Sequence, residues 1–255
     1  FFLILFHYSS KIAQRRLDVE NMESMFDLCL NLESLDLSNF VTTKVTSMER
    51  MFYQCQSLKE ITFSDAFQTF NVKSFKSMFN SCKQLKSIDL QYFKALAAED
   101  MSLMFNDCTN LESLDLSNFE GDTYNVKIFS HMFAGCEKLR RIDFNFDASQ
   151  ATDLSYLFFG CTSLETVYIK STKIAQNLNI DYMFFNCINL AFIDFGSVRF
   201  KISNMEYTFH GCAKLQEPDF TNFDVREVES MQSLFYGCKT FSELKLLTFH
   251  TTKCC

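Results

Sequence analysis

Cysteine is the residue type with the greatest capacity for chemistry in this sequence, where it occurs 11 times in 255 residues. Thiolates bind zinc and pairs of thiols form disulfides, so the spacing decides between these uses. None lies in a Cys-x-x-Cys pair or near a spaced histidine pair, which disfavours a zinc site. Nine recur at intervals of 25 to 28 residues: Cys29, Cys55, Cys82, Cys108, Cys136, Cys161, Cys187, Cys212 and Cys238.

These nine cysteines occupy one column of a repeat. In stacked repeats, neighbouring Cα atoms would lie about 4.8 Å apart, within range of a disulfide. Nine residues in one column cannot all pair, and their position suits a small apolar residue. We therefore expect buried, reduced thiols, with disulfides as the alternative. Cys254 and Cys255 resemble a prenylation signal, but Cys254 also aligns with Val45 of an earlier repeat, which favours an array cut in mid-repeat.

Aspartate forms a second column, after the cysteine in six repeats. Stacked carboxylates repel each other by about 1 kcal/mol per pair in water. Each Asp could set a turn by accepting hydrogen bonds from neighbouring Ser, Thr or backbone groups. The column could equally form an acidic strip that attracts a basic or cationic partner. The second interpretation predicts a binding surface on the concave face, centred on repeats three to five, with the candidate residues Asp36, Ser87, Asp89, Gln91, Ser113, Asp115, Ser117, Arg141, Asp143, Asn145, Asp194 and Asp219.

Catalytic patterns are missing from the sequence. The four histidines, His7, His131, His210 and His250, fall on different repeat positions. There is no Ser-His-Asp arrangement, His-Glu-x-x-His motif or glycine-rich phosphate loop. We therefore predict no catalytic, cofactor-binding or metal-binding residues, and no enzyme activity.

The elements that must position these columns follow from the repeat, because a period of 20 to 50 residues is typical of a solenoid. Each repeat begins with apolar residues at helical spacing, such as Val45, Met48 and Met51. A Leu-x-x-Leu-x-Leu segment follows the cysteine, as at 32–37, and indicates one parallel strand per repeat. The residue before the cysteine, such as Gly135, tolerates the left-handed backbone that ends a helix.

The sequence thus predicts an α/β leucine-rich-repeat solenoid of nine rungs, where a rung is one repeat turn of about 26 residues. The parallel sheet would be concave and the short helices convex. Residues 19–255 would form the solenoid, truncated at its C-terminal end, and residues 1–18 a capping segment or a truncated upstream rung. Leu35, Leu114 and Ile193 should occupy equivalent buried positions. Pro218 has no N–H to donate, which predicts a local bulge or broken strand pairing there.

Composition limits the partners. The net charge of −7 disfavours nucleic acid and anionic membranes. No segment of 18 apolar residues is present, so we predict no membrane insertion. With 47% hydrophobic and 22% charged residues, the sequence favours a packed core over disorder.

The repeat Met-Phe-x-x-Cys-x-x-Leu-x-x-Leu-Asp-Leu-Ser-x-Phe, followed by Val-x-x-Met-x-x-Met-Phe, resembles the BspA-like leucine-rich repeat family of surface proteins. The resemblance covers about residues 19–249 and is strongest over 32–55 and 104–119. It implies a curved solenoid for adhesion or partner binding, a protein or other cell-surface macromolecule as partner, and a surface or secreted location. The unpaired cysteines favour an alternative, an intracellular protein-interaction scaffold. An enzyme would require a domain outside this sequence.

Overall fold

The computed structural model describes residues 19–169, 177–197 and 199–241. The predicted capping segment, the C-terminal truncation, Cys254 and Cys255 lie outside these residues. Successive repeats are joined side by side through parallel bridges. One ladder of such bridges has seven members, Asn21, Ser47, Ser74, Asp100, Ile128, Asp153 and Asn179. The chain is therefore a solenoid of parallel turns, while the count of nine complete rungs stays a prediction.

The strands are short and all pair in parallel. They are β1 (Ser34–Asp36), β2 (Glu60–Thr62), β3 (Arg141–Phe144), β4 (Thr166–Ile169), β5 (Leu178–Asn179), β6 (Phe192–Asp194), β7 (Phe200–Asn204) and β8 (Phe223–Asp224). They form three sheets, β1-β2, β3-β4-β6 and β5-β7-β8. No described strand follows β6 in its sheet, and Pro218 has no strand assignment one rung later. The equivalent segments at 85–90 and 111–116 also lack strands, without a proline, so the effect of Pro218 stays a prediction.

The strand side, formed by the segments after each cysteine, buries alternate residues. Ile142, Val167 and Ile193 are aligned in register across β3, β4 and β6, and all three are at most 5% exposed. Leu35 and Leu114 are only partly buried, so their predicted equivalence to the buried Ile193 is wrong in degree. Strand pairing does not decide this burial, because Leu35 lies in β1, whereas Ile88 is buried without a strand assignment.

The turn side, formed by the Met-Phe-x-x-Cys segments, contains no convex helices among the described residues, and that prediction is wrong. In the third rung, the N–H groups of Met78, Asn80 and Cys82 bond to carbonyls three residues earlier. The intervening N–H groups of Phe79 and Ser81 bond to carbonyls of the next rung. An α-helix needs N–H groups that bond four residues back, so this alternation gives consecutive β-turns. Within the described residues, the only helix is a 3-10 turn at Ser117–Phe119.

Two residues per rung have a left-handed backbone on this side. The residue before the cysteine was expected to do so, and Asp107 and Gly160 have φ values of 57° and 69°. The residue four positions earlier was not expected, yet Leu103 and Tyr156 both have φ of 58°. Each left-handed residue turns the chain between two tight bends, so both positions are needed in every rung.

The core is one continuous stack of phenylalanine rings. Successive ring centroids are 5.3 to 5.9 Å apart and the ring planes differ by 2° to 14°. The stack contains Phe26, Phe52, Phe79, Phe105, Phe133, Phe158, Phe184, Phe209 and Phe235. A core without a break makes the described rungs one unit, whose surface includes the strand side and the turn side.

Candidate binding surfaces

The predicted binding residues all remain accessible on the strand side. Nine are exposed: Asp36, Ser87, Asp89, Gln91, Ser113, Asp115, Ser117, Arg141 and Asp219. Asp143, Asn145 and Asp194 are partly exposed. The register shows interruptions in the aspartate column, because Asp36 lies beside Thr62, while Asp143 and Asp194 flank Tyr168. The structure therefore groups these side chains on one side but does not align them in an unbroken row.

Most of these aspartates also hold a turn. Five of them accept a hydrogen bond from the N–H two residues later, at 2.8 to 2.9 Å: Asp36, Asp89, Asp115, Asp194 and Asp219. Hydrogen bonds from the side chain and backbone of the residue two positions later keep the pKa of Asp36, Asp115 and Asp219 below its usual range. The structural interpretation of the column is therefore supported, and it leaves the negative charges in place.

Asp143 is the exception in this column. Its carboxylate lies 3.2 Å from the guanidinium of Arg141, which also lies 4.6 Å from the centre of the Tyr168 ring. The pairing neutralises the charge at this point. An arginine and a carboxylate form a favourable planar ion pair. Of the expected uninterrupted run of Asp89, Asp115 and Asp143, only the first two carboxylates are therefore left without an ion-pair partner among the described residues.

The cysteine column is chemically quiet. All nine described cysteines are free thiols, and those from Cys55 to Cys212 are buried. Burial raises the pKa of Cys55, Cys108 and Cys161 to about 12. The thiols of this buried run donate hydrogen bonds to phenylalanine carbonyls of the preceding rung, at 3.0 to 3.3 Å. Among the described residues, no group of His, Cys, Asp or Glu is arranged to hold a metal ion.

A second surface, missed by the sequence analysis, lies on the turn side of the later rungs. We call it the aromatic strip: His131, Tyr156, Phe159, Tyr182, Phe185, Tyr207, His210 and Tyr236. One column stacks His131, Tyr156, Tyr182 and Tyr207 with centroids 4.4 to 4.7 Å apart. The other stacks Phe159, Phe185, His210 and Tyr236 at 4.6 to 5.0 Å. All are at least partly exposed.

The same positions are not consistently aromatic in the earlier rungs, where they include Leu103 and Ala134 as well as polar residues. Ser77 and Asn80 stand in the third rung where Tyr182 and Phe185 stand later, with the same left-handed backbone at Ser77. The turn geometry therefore does not require aromatic residues here. The signal in the sequence was the repeated Tyr-x-x-Phe spacing, which is hard to distinguish from core packing.

A cleft of about 810 Å³ adjoins the loop that contains Tyr124 and Asn125. Thr123 ties the loop to the carbonyl of Asp147, and Asn125 ties it to the carbonyl of Leu96. Tyr124 projects between them and is 43% exposed. The lining is mostly polar and includes the ion pair of Lys127 with Glu99 at 3.2 Å.

These features define the class of the protein as a parallel repeat solenoid with a continuous aromatic core. Three overlapping segments at 15–88, 56–172 and 99–192, and a fourth at 199–254, match the family described as Mycoplasma protein of unknown function, DUF285. The matches cover most of the chain, which therefore belongs to this family. No curated protein matches the sequence. No helix of the described residues is long and apolar enough to cross a bilayer.

Several solved structures of bacterial proteins are similar to the chain. The T. pallidum leucine-rich repeat protein is 17% identical over 76% of this chain and 70% of its own, with a TM-score of 0.42. A leucine-rich repeat protein from Eubacterium ventriosum is 15% identical over 85% of this chain, with a TM-score of 0.43. One from Bacteroides ovatus is 18% identical over 85% of this chain and 67% of its own, with a TM-score of 0.30. The chain spans 61% of the length of the Eubacterium protein.

Proposed function

We propose that this chain is a non-enzymatic module that binds a protein or other macromolecule through its strand side, as the resemblance to BspA-like surface proteins suggests. One observation carries the proposal. Asp36, Asp89 and Asp115 are exposed, and none forms an ion pair among the described residues. Uncompensated charge of one sign attracts a partner of the opposite sign at long range.

The partner class that fits these charges is a basic macromolecule, and nucleic acid is disfavoured by the same sign of charge. Adhesion at a cell surface is the use that the family resemblance favours. The second candidate is an intracellular interaction scaffold, which the free thiols of the described residues favour because thiols stay reduced in the cytosol.

The test uses the dual role of the aspartates. An asparagine can accept the same hydrogen bond from the residue two positions later, so Asp→Asn removes the charge and keeps the turn. Asp→Ala removes both. One triple variant therefore carries Asp36→Asn, Asp89→Asn and Asp115→Asn together. It is compared with a second triple variant that has alanine at the same three positions. Poly-L-lysine is the probe, because it presents only positive charge.

The triple Asn variant should fold normally and bind poly-L-lysine more weakly, by about tenfold or more at 0.01 M salt. Binding by the unaltered protein should weaken between 0.01 M and 0.15 M salt, as the Debye length falls from about 30 Å to about 8 Å. The control removes three exposed charges elsewhere, with Glu120→Gln, Glu137→Gln and Glu229→Gln. An equal loss in this control would place the attraction in the net charge and contradict a strand-side site.

A further inference from the structure

The stacking in the aromatic strip determines what can bind there. Within each column the ring planes differ by only 5° to 18°, so every internal ring has both faces covered by its neighbours. The ring edges are therefore the parts that face outward. Ring edges carry partial positive charge, whereas sugars and cations bind to ring faces. The strip consequently suits apolar side chains and carbonyl oxygens, which points to a protein segment.

One border of the strip is acidic. Asp181 and Glu206 immediately precede Tyr182 and Tyr207, at positions held by Ser130 and Ser155 in earlier rungs. The N–H of Glu206 donates to the carboxylate of Asp181 at 2.6 Å, which brings the two residues close together. Neither carboxylate has an ion-pair partner among the described residues.

The local electrostatics are unfavourable for Asp181 in the unbound protein. Partial burial, together with the nearby charges of Glu206 and Asp153, raises the pKa of the Asp181 carboxyl. A cation placed between Asp181 and Glu206 would relieve this repulsion. The border therefore has the charge and the spacing to receive a lysine or arginine side chain.

The opposite border is open at Gly160, where an added Cβ would meet nothing within 4 Å. The exposed amide of Asn186 lies one rung further on, against Gly211. Ile188 is 45% exposed and Tyr236 is 68% exposed. The strip, its acidic border and Ile188 together form a surface that is apolar on one side and negative on the other.

We propose that the aromatic strip is a docking surface for a basic, amphipathic segment of a partner protein. Its lysine or arginine side chains would pair with Asp181 and Glu206, while its apolar side chains would pack on the ring edges and Ile188. This surface lies on the turn side and is separate from the strand-side site proposed above. Each of the two sites can therefore fail without the other.

The repeat itself supplies substitutions that should preserve the fold. The ring variant is Tyr156→Ser with Tyr182→Ser, because Ser24 and Ser77 already hold this position with φ of 55°. The charge variant is Asp181→Asn with Glu206→Gln, in which the new asparagine could still accept the N–H of residue 206.

Each variant has a matched control of the same chemistry. Tyr124→Ser removes an exposed tyrosine outside the strip. Glu120→Gln with Glu229→Gln removes two exposed charges that lie outside both proposed surfaces.

The probes are two peptides of about 12 residues, one alternating lysine with leucine and one alternating lysine with serine, which would each extend about 40 Å. Both carry the same charge, and only the first is apolar. Fluorescence anisotropy of labelled peptides would measure their affinity for the full chain. We expect the lysine-leucine peptide to bind at least about tenfold more tightly, and both strip variants to lose about tenfold in its affinity. The two controls should change it less than about twofold.

Three results would overturn the proposal: equal affinity for both peptides, unchanged lysine-leucine binding in both strip variants, or equal losses in the controls. Circular dichroism establishes whether each variant folds. Should the ring variant unfold, the charge variant decides alone, since its rings are intact. Loss of poly-L-lysine binding only in the strand-side variant would leave the aromatic strip unaffected, so the two proposals remain distinguishable.

Discussion

The thiol sulfur of Cys108 lies 3.1 Å from the carbonyl oxygen of Phe79, one rung earlier in the stack. The same carbonyl accepts the N–H of Cys82 at 3.1 Å, so one oxygen joins its own turn to the next. Alanine at position 108 would fill less space and could not donate. Cysteine is therefore suited to this position as a small apolar residue with one weak donor.

This bonding predicts a clear order of thiol reactivity. With the pKa of Cys108 raised to about 12 by burial, only about one molecule in ten thousand carries its thiolate at pH 8. Cys29 and Cys238 are partly exposed at the two ends of the described column. Native-state alkylation followed by peptide mass mapping should label these two well before Cys108.

In denaturant, all the thiols of the column should react at similar rates, which provides the control. Cys254 and Cys255 lie outside the described residues, and peptide mapping reports them separately. Labelling of Cys108 as fast as Cys29, or peptides joined by disulfides, would contradict the prediction.

Gly160 and Gly211 both have a left-handed backbone but differ in the space around an added Cβ. Alanine substitutions at these two positions can therefore separate the stability cost of backbone strain from that of steric overlap. Both have left-handed φ values, 69° and 77°, so alanine at either should cost about 1–2 kcal/mol. A Cβ at Gly160 would meet nothing within 4 Å, whereas one at Gly211 would overlap with Oδ1 of Asn186. Urea unfolding should therefore show a larger loss of stability for Gly211→Ala than for Gly160→Ala.

A double-mutant cycle checks the cause. In an Asn186→Gly background the overlap is removed, and Gly211→Ala should then cost about as much as Gly160→Ala. An equally large cost with and without Asn186 would show that the side-chain overlap is not responsible.

Asp224 predicts an acid-dependent loss of stability. Its carboxylate accepts hydrogen bonds from the guanidinium of Arg226 at 2.6 and 2.8 Å and lies 3.5 Å from Arg199. Chiefly through the bonds from Arg226, the pKa of Asp224 falls from its usual 3.8 to about 2. A carboxyl that ionises more readily in the folded state stabilises the fold when charged, so its contribution is complete above about pH 4 and is lost as pH falls towards 2.

The arginines are largely exposed, so solvent screening limits this contribution to about 1 kcal/mol. Asp224→Asn should lower stability by about that amount at pH 6 and by much less at pH 2, as measured by urea unfolding. Asp65→Asn, at an exposed aspartate without an ion pair among the described residues, is the matched control. A constant difference between the unaltered protein and Asp224→Asn across this pH range would contradict the assignment.

The repeat period and the inward-facing columns could be predicted from the sequence, because every rung must bury the same positions against its neighbours. Cys82 and Ile193 are buried as their columns require, and Gly160 has the left-handed backbone expected before a cysteine. The turn side could not be read in this way. Met78 and Phe79 follow helical spacing, yet their N–H groups bond to different partners, one within the rung and one in the next. Periodicity records which side chains face inward and does not record where the backbone bonds lead.

For the candidate sites too, the sequence predicted the features that repeat from rung to rung and missed those that depend on contacts within one rung. The sequence identified Asp115 and its neighbours because they repeat, whereas the pairing of Asp143 with Arg141 depends on two side chains of a single rung. The aromatic strip was hidden because Tyr182 and Phe185 alternate with core residues of similar character. Only the structure separates the phenylalanines inside the stack from those at its surface.

The N–H groups of Phe79 and Ser81 donate forward to the following rung, and Phe52 and Gln54 do the same one rung earlier. These bonds run from turn to turn along the length of the stack. A mechanical load that pulls its two ends apart would therefore act on the rungs in series, and the weakest junction would give way first. Each rung that peels away would release about 26 residues, or about 90 Å of extended chain. Under tension the protein would lengthen in steps, and the rungs that remained closed would keep their surfaces intact.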